Sequence, residues 1–208
     1  MGDRPTIGVR IPQYGGGWEQ VRAAALRIEE LGFDGVWAND HLQSPGRVKE
    51  DPAFDALTTL SAIAAITSRV RLGTVVLSAS YRSPLLAAKM LTILDVIWGG
   101  RVVVGLGSGS NVDEHRAFDV PFPTPAERTE RLRVTLETLR AMFTGEPGHG
   151  VGPDPMPPNR PAPVQPGGPP ILVAAHRPRL LRLAGERADG IVAAFHAPEV
   201  VARRLAVA

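Results

Sequence analysis

RLGTVVLSASYRSPLLAAKMLTILDVIWGGRVVVGLGSGS, residues 71–110, is the stretch whose reading decides the fold. Two short runs rich in valine and leucine, 72–77 and 101–105, flank a helical segment that opens on Ser83-Pro84 and is apolar nearly throughout. The second run breaks into Gly105, Gly107 and Gly109, where its strand is expected to end. This is a β-α-β unit with a glycine loop at the carboxyl end of a strand, the place where α/β folds assemble their chemistry.

Moving outward, the unit repeats. Residues 7–12 (IGVRIP) read as a strand, and 18–31 as a helix with apolar positions at Trp18, Val21, Ala25 and Ile28 and Gly32 as its stop. Residues 35–38 (GVWA) form the next strand, ending in Asn39-Asp40-His41, and a polar Gly/Pro-punctuated loop leads to a helix through Leu57, Leu60, Ala64 and Ile66. Downstream, Thr124-Pro125-Ala126-Glu127 reads as a capping box with proline at the first helical position. Leu132, Leu136, Leu139 and Phe143 then lay one stripe along a helix that Gly145 ends. Residues 145–170 are a Pro/Gly-rich loop without periodicity; 171–175 and 190–195 read as strands, 179–187 as a helix, and another helix starts at Pro198. Strands that are near-continuous apolar runs separated by helices predict a parallel sheet, either a (β/α) barrel or a doubly wound sheet. About six β/α units are present, where a full barrel has eight. The residues alone predict one α/β domain over residues 1–208, which as a barrel would be about two units short.

Composition narrows the function classes. The chain has 208 residues, 44% hydrophobic, with a formal net charge of +2 and no cysteine. Arginines alternate with acidic residues along the helices, which argues against a nucleic-acid partner. Cysteine's absence excludes disulfides, thiolate nucleophiles and Cys-metal sites. No basic-then-apolar leader and no apolar run near the ~20 residues of a membrane span are evident, so a soluble cytoplasmic protein without membrane contact is expected.

Four stretches together resemble the bacterial-luciferase-like superfamily of flavin- and coenzyme F420-dependent oxidoreductases. They are LGFDGVW with Asn39-Asp40-His41 (from Leu31), LGTVVL with Ser83-Pro84 (from Leu72), TILD through GGRVVVGLGSG (from Thr92), and PPILVAA with Ala188-Asp189-Gly190 (from Pro169). The resemblance implies a TIM-type barrel that binds F420 or FMN, and a small-molecule substrate, at the carboxyl ends of its strands. It also implies a homodimer, and a separate flavin reductase partner if FMN is used.

Candidate site residues follow from the resemblance and the strand ends. His41, with Asp40 beside it, is the candidate acid/base group, since imidazole exchanges protons near neutral pH. Asn39, Val75 and Val76 are expected to line the cofactor, with a bulge and a non-prolyl cis bond at Val75-Val76 behind the ring. Gly107, Ser108, Gly109 and Ser110 would let backbone amides approach a planar ring or an anion. Several F420 reductases carry a glutamate where Ser110 stands. Arg128 matches a phosphate-binding arginine, and Ala174, Ala175 and His176 sit where relatives contact phosphate. Asp113, Glu114 and His115 match no metal-ligand spacing and read as solvated loop residues, so no metal is expected. His149 and His196 take no role. The glycine run departs from a dinucleotide fingerprint, its third glycine one residue early and the distal acid missing. The expectation is therefore hydride transfer, or monooxygenation, on a small organic molecule. The rival readings are a non-catalytic flavin-binding or dimerisation module, and an unrelated barrel isomerase or lyase acting on a phosphorylated metabolite.

Overall fold

The computed structural model describes residues 5–45, 50–146, 155–193 and 198–206; His149, His196 and residues 194–195 of the last expected strand lie outside them. In chain order the elements are β1 (Gly8–Arg10), α1 (Trp18–Glu30), β2 (Gly35–Ala38), α2 (Ala56–Ala64), β3 (Arg71–Thr74), β4 (Leu77–Ser78), α3 (Pro84–Ile97), β5 (Val102–Gly107), α4 (Val112–Ala117), α5 (Pro125–Thr144), β6 (Ile171–Ala174), α6 (Pro178–Arg187), β7 (Gly190–Val192) and α7 (Pro198–Leu205). All strand pairs are parallel, and the order β1-β2-β3-β5-β6-β7 follows the chain, with β4 also on β5. Each new strand adds to the same growing edge. A doubly wound sheet reverses direction at a switch point, and this one does not; the architecture is the open portion of a (β/α) barrel.

β3 and β4 are two halves of one barrel strand, parted at Val75-Val76, whose peptide bond is cis. The interruption is pinned on both sides. Val75 N–H donates to the Ala38 carbonyl at 2.8 Å, and the Thr74 hydroxyl donates to the Gly105 carbonyl at 2.8 Å.

Register sorts the strand residues into two layers, because partners opposite one another share a face. Val36, Leu72, Val102, Val104, Leu106, Ile171 and Val173 lie on the helix side and are buried. The other layer is Gly35, Gly73, Gly105 and Gly107, with Trp37, Val103 and Leu172 among them. The glycines are not spare. A Cβ on Gly73 would sit 2.2 Å from the Trp37 ring, and one on Gly8 1.8 Å from its indole nitrogen, so Trp37 lies flat over both. A Cβ on Gly105 would stand 2.1 Å from the Thr74 carbonyl oxygen. The expected glycine loop therefore begins later than the sequence suggests. Gly105 and Gly107 belong to β5, and only Gly109, at φ 79°, occupies a turn.

The helices begin and end where their caps dictate. Ser83 caps α3 by accepting from Leu86 N–H, with Pro84 in the first turn. Thr124 and Glu127 form the reciprocal capping box of α5, whose last turn closes on Gly145 at φ 74°. The segment after α5 is tied to the barrel: Asp95, fully buried on α3, accepts from the backbone N–H groups of Val164 and Gln165 and from the Gln165 side chain. Asn159 donates to the Thr92 hydroxyl and the Met142 carbonyl.

Gly105→Ala forces its methyl group into the Thr74 carbonyl, a backbone atom with no rotamer to yield. Thermal unfolding is expected to show a loss of about 1–3 kcal/mol or more, the usual cost of overpacking.

Candidate functional site

The carboxyl ends of β2, β4 and β5 meet at one rim. Ser78 N–H donates to Asp40 Oδ2 at 2.8 Å, Ala79 N–H donates to the Gly107 carbonyl at 2.8 Å, and the Ser80 hydroxyl donates to the Ser108 carbonyl at 3.1 Å. A Cβ on Gly107 would meet Val76 Cγ2 at 2.5 Å and the Ala174 Cβ at 3.7 Å. Val76, Gly107 and Ala174 therefore form one floor, which joins β4, β5 and β6 without bulky side chains. Ser110 and His176 are exposed at the edge of this rim, whereas Ala175 is wholly buried in the core.

Asn39 serves the scaffold. Its backbone N–H donates to Gln13 Oε1 at 2.6 Å and its carbonyl accepts from Gln13 Nε2 at 3.0 Å, so a buried glutamine extends the β1–β2 ladder by one rung. With its amide oriented to satisfy both neighbours, Asn39 donates to the Val75 carbonyl (2.7 Å) and accepts from Arg10 (3.1 Å), holding the bulge.

Asp40 is not free beside His41. Its side chain is fully buried and forms a two-pronged pair with Arg82, at 2.7 and 3.0 Å, while Oδ2 also accepts from Ser78 N–H. Arg82 reaches Asp55 as well, at 2.9 Å, and Asp55 caps α2. Burial works against the Arg82 charge, but the two carboxylates more than reverse this and hold the guanidinium above its ordinary value. A carboxylate whose oxygens are occupied in this way is a strut of the rim, not a proton carrier.

His41 has a different partner. Its Nδ1 lies 3.0 and 3.2 Å from the two oxygens of Glu114 on α4, and no partner for Nε2 is found among the described residues. Glu114 also accepts from the Tyr81 hydroxyl at 2.5 Å and from Gln43 N–H at 3.4 Å. Glu114 is fully buried and His115 is 1% exposed, so the expectation of solvated loop residues fails for both. α4 is a short helix that the apolar pattern does not reveal. Its available signal is Asn111, which caps it by accepting from Asp113 and Glu114 N–H. His115 donates from Nδ1 to the Pro121 carbonyl at 2.9 Å and packs its ring between Tyr81 and Phe122. Arg128 joins from the far side of that wall: its guanidinium lies 4.2 Å over the Phe122 ring and donates to the Pro123 carbonyl at 2.7 Å. Its Nε is buried without a hydrogen-bond partner.

Two concavities lie away from this rim. One, of about 330 Å³, lies between the end of α5 and residues 155–159; the other is lined by Arg140, Asp189 and residues 165–168. Both sit at the amino ends of the strands, because each helix runs back from the carboxyl rim. Among the described residues, no group of three or more His, Asp or Glu side chains could hold a metal ion, and no helix is long and apolar enough to cross a membrane.

Arg82→Met leaves the buried Asp40 carboxyl with one backbone N–H as its hydrogen-bond partner. Urea unfolding is expected to show a loss of about 3–5 kcal/mol, the cost of stranding one member of a buried pair.

Known proteins carry the same arrangement of strands. The chain is 33% identical over 175 residues to an F420-dependent glucose-6-phosphate dehydrogenase of Amycolatopsis mediterranei, covering 81% of this chain and 51% of that one. It superimposes on the monooxygenase RslO1 from Streptomyces bottropensis with a TM-score of 0.79 at 26% identity, over 98% of this chain and 64% of that one. An F420-dependent secondary alcohol dehydrogenase, crystallised with an F420-acetone adduct, shares the fold at a TM-score of 0.78 and 21% identity, over 89% and 57% of the two chains. The chain spans about half the length of the curated relatives it matches. The model of the luciferase-like monooxygenase family matches residues 5–207. A match of that extent, on strands laid down in barrel order, makes this chain a member of the luciferase-like monooxygenase family.

Proposed function

We propose that this chain forms the cofactor-binding part of an oxidoreductase that uses F420 or FMN, and that His41 exchanges the proton accompanying hydride transfer to or from a small organic substrate. The observation that carries the reading is the pairing of a small-residue floor with an imidazole at its edge. Val76, Gly107 and Ala174 together offer a surface with no side chain larger than valine, and His41 keeps Nε2 without a described protein partner. These residues fit a flavin or deazaflavin ring. When bound, such a ring supplies the two-electron hydride acceptor or donor.

The chain's own residues do the rest. Val75-Val76 backs the floor, and the Ser108-Gly109-Ser110 turn presents backbone to it. The start of α6, which no side chain caps, lies next to His176 and favours an anionic group such as a phosphate. Arg128, whose Nε has no hydrogen-bond partner, is the proposed cationic contact for phosphate. His41 Nε2 takes the proton that a substrate hydroxyl gives up, or returns it in the reverse direction. F420 is favoured by the 33% identity to an F420-dependent dehydrogenase. FMN, supplied in reduced form by a separate reductase for monooxygenation, is the second reading, favoured by the likeness to RslO1.

The test is titration with F420 and with FMN, followed by fluorescence, and then turnover. Binding without turnover would leave a non-catalytic module, and binding of neither would end the proposal. In the active protein, His41→Ala is expected to keep cofactor affinity and lower turnover by about 10²–10⁴-fold, the usual worth of a general acid-base group.

A second copy of the chain is the proposed partner of α3. Leu86, Met90, Ile93 and Ile97 follow one another at helical spacing on its outer side, Leu86 being 54% and Ile97 68% exposed. The charged residues of this helix are engaged, Asp95 buried and Lys89 bonded to the Arg160 carbonyl. Light scattering is expected to give a dimer for the parent chain and a monomer for Leu86→Glu/Ile97→Glu, with cofactor binding retained.

A further inference from the structure

We infer that Glu114 is the positioning residue for His41: its buried carboxylate keeps a proton on Nδ1 and so presents Nε2 to the barrel mouth as a bare lone pair. The geometry leaves little choice. An ionised carboxylate only accepts, and both Glu114 oxygens lie within 3.2 Å of Nδ1, so that nitrogen must be the donor. The other two partners of Glu114 press it into the same role. Gln43 contributes a backbone N–H, which only donates. Tyr81 contributes a phenol, which burial first and then the Glu114 charge push far above its ordinary value, so it stays protonated and donates too.

Nothing competes for the arrangement. The Glu114 side chain is fully buried, so water does not exchange for the imidazole, and Asn111 fixes the Glu114 backbone at the head of α4. The His41 ring, by contrast, remains 30% exposed. The element that supplies Glu114 lies 73 residues from the one that supplies His41, so the pairing exists only in the fold. When His41 accepts a proton at Nε2, the charge forms against an existing carboxylate. The proton on Nδ1 stays where it is.

The consequence for turnover rests on the reading of His41 as the proton-transfer residue; the tautomer itself does not. The two are tested separately. Nitrogen-15 NMR of the cofactor-free chain at about pH 8.5, well above the ordinary imidazole range, is expected to show His41 with a protonated Nδ1 and a bare Nε2. In Glu114→Gln the charge is lost and the carboxamide can turn either its oxygen or its NH₂ to Nδ1, so the single Nδ1–H form is expected to give way to a mixture of tautomers. With cofactor and substrate, that variant is expected to lose about 10²-fold in kcat, with cofactor Kd unchanged. Tyr81→Phe, which leaves the carboxylate in place, is expected to keep the Nδ1–H tautomer. A protonated Nε2 in the parent chain overturns the inference, as does a tautomer that Glu114→Gln leaves unchanged. Should the variant not fold, the parent spectrum alone decides. The expected tautomer in a chain that turns over nothing would sink the proposed function and leave the role of Glu114 standing.

Discussion

The rim of this barrel depends on one buried ion pair. Asp40, just past the end of β2, has a side chain without solvent contact and must find its hydrogen bonds within the protein; it finds them in Arg82 and in the backbone N–H of Ser78 at the end of β4. Arg82 in turn reaches Asp55 at the head of α2. Arg131, from α5, donates to the carbonyls of Ala79 and Arg82 and so braces the same segment from outside. Four elements remote in sequence are thereby fixed relative to one another. Buried pairs of this kind are poor sources of net stability, because desolvation consumes much of the attraction. Their value here is geometric: the segment 77–82 has one position in which every charge is answered.

Because the rim is fixed, two neighbouring residues can take opposite roles. Asp40 is spent on Arg82, and His41, one residue further, turns to a different carboxylate. The burial that makes Asp40 a strut makes Glu114 an anchor, and the difference lies in the partner. A guanidinium occupies both oxygens of its carboxylate and stays charged at any working pH, whereas an imidazole changes its charge near neutrality and leaves one nitrogen free. The proposed proton exchange is therefore assigned to the second pair.

Below the rim, the inner layer of the sheet is built from absence. Gly73 makes room for Trp37, Gly105 lets the Thr74 carbonyl approach, and Gly107 makes room for Val76. The interruption between β3 and β4 and the smooth strand β5 are complementary. At the carboxyl ends only small side chains, Val76 and Ala174, stand beside Gly107. A methyl group on Gly73, Gly105 or Gly107 would therefore disturb the packing.

The alternation of apolar runs with capped helices was sufficient to predict parallel strands, six β/α units and the position of nearly every helix. Local chemistry decides these: Thr124, Pro125 and Glu127 start a helix wherever they stand, and Gly145 ends it. The Val75-Val76 cis bond was legible through likeness to a family, which also names His41 as a candidate. What no local signal carried was who meets whom. Asp40 reads as a catalytic carboxylate until Arg82 claims it, and Glu114 as a solvated loop residue until α4 turns it inward. The choice of barrel over doubly wound sheet came from likeness to a family, and the strand order bears it out. Propensity and capping act over a few residues and are written in them, whereas the partner of a buried charge lies dozens of residues away and is settled only when the strands are laid side by side.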